Sequence, residues 1–193
     1  IFNKFFADKD KKEFMIGTVF PDIRYLGVIK RSETHLGDLN LQDIQKEDSF
    51  MAGLKFHALL DIVREKFITQ SGIYEIYPDM KHLISSIKIL EDQYFYDKVN
   101  NWDEIVKYFN SILEKEINFN ILKKDIQRWH TYLQSYFRQK PNYDSIFKFS
   151  TSIGYKQGVV DQLYKNIDIL KENKQVMAIL NDLYIKVDAL LEN

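Results

Sequence analysis

The 193 residues include no cysteine, which excludes disulfide scaffolds, zinc fingers, thiolate metal sites and cysteine nucleophiles. The absence leaves the compartment open, because exported proteins need not carry disulfides. Glycine and proline are scarce, at seven and three, so the chain is poor in tight turns. Net charge is nearly absent as well: 27 Lys and Arg meet 28 Asp and Glu, a formal −1. That balance gives no general drive toward nucleic acid or anionic membrane. No apolar run approaches the roughly 20 residues of a membrane span, so no transmembrane segment is expected. No signal peptide is visible. The chain opens on Ile1 rather than Met, which leaves room for residues upstream.

What is present suits a globular chain: 45% hydrophobic, 28% charged and 15% aromatic residues. The length fits one domain over residues 1–193 with a sizeable core. No segment shows convincing period-two alternation, so the expectation is all-α, a single-domain multi-helix bundle. Helices are expected at Phe2 to Phe6 and at about Glu13 to Leu26, with a kink or a fresh turn at Pro21. Gly27 to Glu47 reads as a polar, irregular and long connection, the kind that often carries function. Asp48 or Ser49 caps a strong helix to about Ile68. Further helices are expected from Pro78-Asp79 to about Tyr96, from Trp102, and from about Asn120 to Gln139. A late break falls in Ser150 to Gly158. The C-terminal segment reads as an amphipathic pair broken near Glu172-Asn173.

The helix from Asp48 to Ile68 carries the most chemistry. Phe50, Leu54, His57, Asp61 and Ile68 lie near one face, so His57 and Asp61 are titratable groups one turn apart on an inward stripe. A buried carboxylate needs a hydrogen bond, a cation or a metal. One solution is a histidine hydrogen-bonded to its own aspartate, with Arg64 or Lys55 completing a network. A second brings in Asp22, at the end of the apolar segment Phe14 to Phe20, and His35 in the polar loop. Asp22, His35, His57 and Asp61 together offer two imidazoles and two carboxylates, a ligand set for Zn, Mn or Fe. Asp22 and Asp61 are also the candidate catalytic groups, since either carboxylate can orient a water.

Gly17-x-x-x-Pro21-Asp22, then Thr34-His35, then His57-x-x-x-Asp61 resembles the zinc-dependent phospholipase C family over roughly the first third of the chain. The resemblance implies an all-helical fold and a first metal, most readily zinc, held by Asp22, His35, His57 and Asp61. Asp61 would be the residue able to bridge to a second metal. Several family ligands are absent. No tryptophan or histidine precedes Asp22, Phe67 stands where a histidine is usual, and the later His-x-x-x-Glu has only His82 with Ser86 as a counterpart. One retained site implies a single-metal enzyme, an altered metal count, or a protein that kept the fold and lost the activity.

Weaker candidates surround this set. Glu33 and Asp38 flank His35 and can orient its ring or remain solvated. Arg24 and Tyr25 can contact an anionic substrate or form an ordinary turn. His82 reads as a surface histidine near a helix start. His130, beside Trp129, reads as an aromatic packing neighbour. No phosphate-binding glycine loop, His-Glu-x-x-His, Gly-x-Ser-x-Gly or His-Asp dipeptide occurs. The functional expectation is metal-dependent hydrolysis of a phosphate ester, phospholipase C-like or phosphodiesterase, on a lipid head group or nucleotide. The alternative is a non-catalytic helical binding or effector protein with a degenerate metal site.

Overall fold

The computed structural model describes residues 1–35 and 39–192. Among them are twelve α-helices and no strand, so the fold is all-α. In chain order the helices are α1 (Phe2–Phe5), α2 (Lys11–Val19), α3 (Leu41–Lys46), α4 (Ser49–Gln70), α5 (Ile73–Ile76) and α6 (Leu83–Phe95). They continue with α7 (Trp102–Tyr108), α8 (Glu114–Ile117), α9 (Lys123–Phe137), α10 (Tyr143–Ser152), α11 (Gln157–Glu172) and α12 (Lys174–Leu191). None is long and apolar enough to cross a membrane. Contacts divide the chain into two compact units. One is Ile1–Val63 with Asp103–Gln134 and Asp188–Asn193; the other is Arg64–Trp102 with Ser135–Val187.

The first unit is organised by the meeting of α2 and α4. Asp10 caps α2 by accepting from the Glu13 N–H, and Asp48 caps α4 by accepting from Phe50 and Met51. The Asp10 N–H reaches the Ser49 hydroxyl, which ties the two helix starts together. Between the helices lie Gly17 and Gly53. A Cβ on Gly17 would fall on the Phe50 carbonyl oxygen, and one on Gly53 on the Phe14 carbonyl oxygen. The backbones therefore touch, and no residue but glycine fits at either point. Around this crossing Phe6, Phe14 and Phe56 meet with ring centroids 4.6–5.7 Å apart, and Phe20 packs on Phe50 and Phe119. Phe6, Phe14, Phe20, Phe50 and Phe56 are buried, and each such ring stabilises the unit by roughly 1.5–3 kcal/mol.

In the second unit α6 packs on α11 through Ile87, Leu90, Leu163, Ile167 and Leu170, all buried. Asn166 lies inside that face and is held by donating to the Ser86 hydroxyl and the Lys81 carbonyl. The helix expected from Pro78 begins instead at Leu83. His82 adopts the left-handed conformation, φ 61°, so the helix cannot extend back through it. Helix α10, capped by Asn142, falls where no helix was expected. The C-terminal pair does break as the pattern predicts, because Asn173 ends α11 and its side chain caps α12.

Candidate metal centre

The centre lies in the first unit, on α4 and on the chain between α2 and α3. At Phe20 helix α2 gives way to a tighter 3-10 turn over Phe20–Leu26. Pro21 is its second residue, within the first turn where a missing N–H costs nothing, so the chain starts a fresh turn rather than a kinked helix. Gly27, at φ 73°, ends that turn. A second 3-10 turn, Arg31–Glu33, leads to Thr34 and His35. The connection expected to be irregular, Gly27 to Glu47, therefore contains one 3-10 turn and α3. Thr34 is fully buried, and its hydroxyl lies 3.1 Å from His35 Nδ1 and 3.4 Å from the Arg31 carbonyl. A Thr34 hydroxyl that accepts from Nδ1 puts the lone pair on Nε2, the ring nitrogen that faces Asp61.

On α4, His57 and Asp61 project toward His35. The two imidazoles meet edge to face, centroids 5.2 Å apart. Asp61 Oδ2 stands 3.7 Å from His35 Nε2 and 3.9 Å from His57 Nε2. One ligand atom from each residue lies within 4.8 Å of the others, the one such group of three among the described residues. These spacings exceed the 2.7–3.2 Å of a hydrogen bond. They are close to the roughly 3.3–3.6 Å between neighbouring ligands on a tetrahedral ion with bonds of about 2.0–2.2 Å. Both Nε2 atoms are buried without a hydrogen-bond partner. Leaving two such atoms unmet costs about 1–3 kcal/mol each, a cost that a shared cation removes.

The electrostatics suit ligation. Burial, reinforced by the positive charge of Arg31 and by His57 and Arg24, pushes the His35 pKa down to about 4 against the opposing pull of Asp61. His35 is therefore neutral at neutral pH and keeps a lone pair to give. The alternative of a self-contained His57–Asp61 hydrogen bond is not what the side chains make, since His57 Nε2 is unbonded. Lys55 pairs with Glu47, and Arg64 with Glu91 at 2.7 Å.

Three of the four expected ligands are thus brought together, and Asp22 stands outside the group. Its Oδ1 lies 2.9 Å from Arg24 Nη2, an ion pair without hydrogen-bond geometry. Arg24 also reaches the Tyr25 hydroxyl at 3.2 Å, with its guanidinium 4.2 Å from the Tyr25 ring centre. Glu33 turns away from the ring and accepts from the Lys30 N–H. Asp38 lies outside the described residues. His82 is exposed, and Ser86 bonds to its carbonyl and to Asn166, so this pair forms no ligand set.

Two features escaped the sequence. Arg31 lies with Nη2 3.7 Å from Asp61 Oδ2; its place four residues before His35, in a loop that turns back on itself, was the available signal. His130 does pack edge to face on Phe109, but it also pairs at 2.8 Å with a fully buried Glu116. Fourteen residues and a helix break separate that pair, so no spacing rule reveals it. No protein family, curated protein or solved structure matches the chain.

Proposed function

We propose that the chain is a metal-dependent hydrolase of phosphate esters, with His35, His57 and Asp61 as the protein ligands of a divalent ion. The observation that carries this reading is the pair of buried, unbonded Nε2 atoms of His35 and His57, both facing Asp61 Oδ2. Two imidazoles and a carboxylate suit Zn first, then Mn or Fe. The likeness of the Pro-Asp, Thr-His and His-x-x-x-Asp elements to zinc-dependent phospholipases C supports a phosphate ester as substrate. An ion bound there supplies Lewis acidity and lowers the pKa of a coordinated water.

The chain's own groups divide the remaining work. Thr34 fixes the His35 tautomer, which keeps Nε2 available. Asp22, oriented by Arg24, is the carboxylate that accepts a proton from the attacking water. Hydrolysis forms one new P–O bond from that water, breaks the ester P–O bond and delivers a proton to the departing alcohol oxygen. The placement of Asp22 outside the three-residue group favours a second reading, a helical binding protein that holds an ion without hydrolysing anything.

The test is elemental analysis of purified protein, followed by hydrolysis of nitrophenyl phosphate esters before and after chelation. The expected result is one ion per chain, lost in His57→Ala, with activity removed by chelator and restored by zinc. Protein without metal, or a His57→Ala variant that retains it, would falsify the reading. Bound metal with no hydrolysis of mono- or diesters selects the binding protein.

A further inference from the structure

Arg31 is anchored at one end and open to solvent at the other. Its carbonyl accepts from the Thr34 N–H at 3.1 Å and from the His35 N–H at 2.9 Å, so its backbone is fixed in the turn that places the His35 ring. Its guanidinium reaches toward α4, where Nη2 stands 3.7 Å from Asp61 Oδ2. That oxygen is the one facing His35 Nε2 and His57 Nε2. Side-chain exposure rises from 8% at His35 through 15% at His57 and 19% at Asp61 to 59% at Arg31. Arg31 therefore stands at the solvent side of the three ligands. For a cation site taken alone, a guanidinium there is unfavourable. An ion and Arg31 would address one carboxylate oxygen, their like charges repel, and Arg31 cannot lose its proton. An oxyanion removes the conflict. One of its oxygens can take the position that three protein ligands leave open on a four-coordinate ion, and another can accept from the guanidinium.

We infer that Arg31 makes the divalent ion and an oxyanion bind as a pair. Arg31 opposes the ion while no anion is present and supports it once a phosphate group bridges the two. This rests on the metal-dependent reading above and adds a regulation to it: the centre holds its ion tightly only when substrate or product phosphate is in place. The coupling is reciprocal, so the ion raises phosphate affinity by the factor that phosphate raises ion affinity. The bridge needs two oxygens on one anion, and chloride, a single atom, does not supply it.

The test is zinc titration of metal-free protein at neutral pH, with free zinc set by a chelator buffer, in chloride and in inorganic phosphate at equal ionic strength. Phosphate is expected to tighten zinc binding about tenfold or more. In Arg31→Gln the two effects separate. Zinc in chloride is expected to bind about three- to tenfold more tightly than to the unaltered chain, because the repulsion is gone. Phosphate is then expected to add less than about twofold. The main-chain bonds that place His35 do not involve the replaced side chain, and an arginine that only supported the fold would lower zinc affinity on replacement. No tightening by phosphate in the unaltered chain overturns the pairing while the metal reading stands. So does an Arg31→Gln variant with equal or weaker zinc binding in chloride, or with undiminished phosphate coupling. A chain that takes up no zinc in either salt overturns both.

Discussion

His35 illustrates how one residue couples burial to chemistry. Its pKa of about 4 in the folded chain lies below the 6.5 of an unhindered histidine. Between those values the unfolded chain holds more protons than the folded one, so stability rises with pH across that window. Metal-free protein is accordingly expected to lose about 1–2 kcal/mol as pH falls from 6.5 toward 4, after discounting for solvent screening. Urea midpoints at pH 7 and pH 4.5 measure this, and His35→Asn should remove that part of the difference. Identical pH slopes in the two proteins would show that His35 is not the group responsible. Thr34 is the second test at this scale. Thr34→Val keeps the shape but removes the partner of Nδ1, and metal affinity is expected to drop about 10–100-fold. An unchanged affinity would mean that Thr34 does not set the tautomer. The Glu116–His130 pair tests burial alone. Replacing His130 by Phe leaves the buried Glu116 carboxylate with the Leu113 N–H on one oxygen and removes its imidazole partner on the other, at an expected cost of about 3–5 kcal/mol in unfolding free energy.

At the level of elements, the α2–α4 crossing determines where the ligands fall. Gly17→Ala or Gly53→Ala forces the two backbones apart, with an expected loss of about 1–3 kcal/mol or more and a loss of metal affinity in the same variants. Thermal melts and zinc titrations of both would reveal a flaw in the argument if either alanine were neutral. Helix α4 was legible in the sequence because apolar residues recur at helical spacing and Asp48 stands at its start; α2 was legible in outline, since it runs Lys11–Val19 behind the Asp10 cap rather than from about Glu13 to Leu26. The ligands on α4 were legible for the same reason: His57 and Asp61 are one turn apart on the buried stripe. What was not legible has specific causes. The start of α6 depends on a histidine in a left-handed conformation, which no composition rule announces. The 3-10 turn Arg31–Glu33 and α3 between Gly27 and Glu47 are shorter than the window in which a period can be measured. Asp22 was grouped with the ligands by its motif. Its pairing with Arg24, two residues on, depends on the 3-10 turn that the sequence left open.

For the whole molecule, 27 basic residues nearly balance 28 acidic ones, so ligand binding is left to local groups rather than to net charge. A ligand that binds only the folded state stabilises the chain by about 2.7 kcal/mol at 100 times its dissociation constant. Zinc is therefore expected to raise the melting temperature by roughly 5–10 °C for a chain of this length. Hydrogen exchange should locate the effect. Protection is expected over residues 20–35 and 49–63, with little change in α6 and α11. Uniform protection, or protection confined to α6 and α11, would place the ion elsewhere.

The glycine contact also bears on how this centre is recognised in other chains. Gly53, His57 and Asp61 are spaced four apart on α4, and Gly17 stands four before Pro21 on the other strut. The point of backbone contact and the ligands are thus successive rungs of one ladder. A search that asks only for His-x-x-x-Asp gathers any helix with two polar residues a turn apart. A search that asks for the glycine one rung below, on both helices, selects for the distance between them. A chain that keeps His57 and Asp61 but carries a larger residue in place of either glycine retains those two ligands and loses their set distance from the segment after α2 that carries His35.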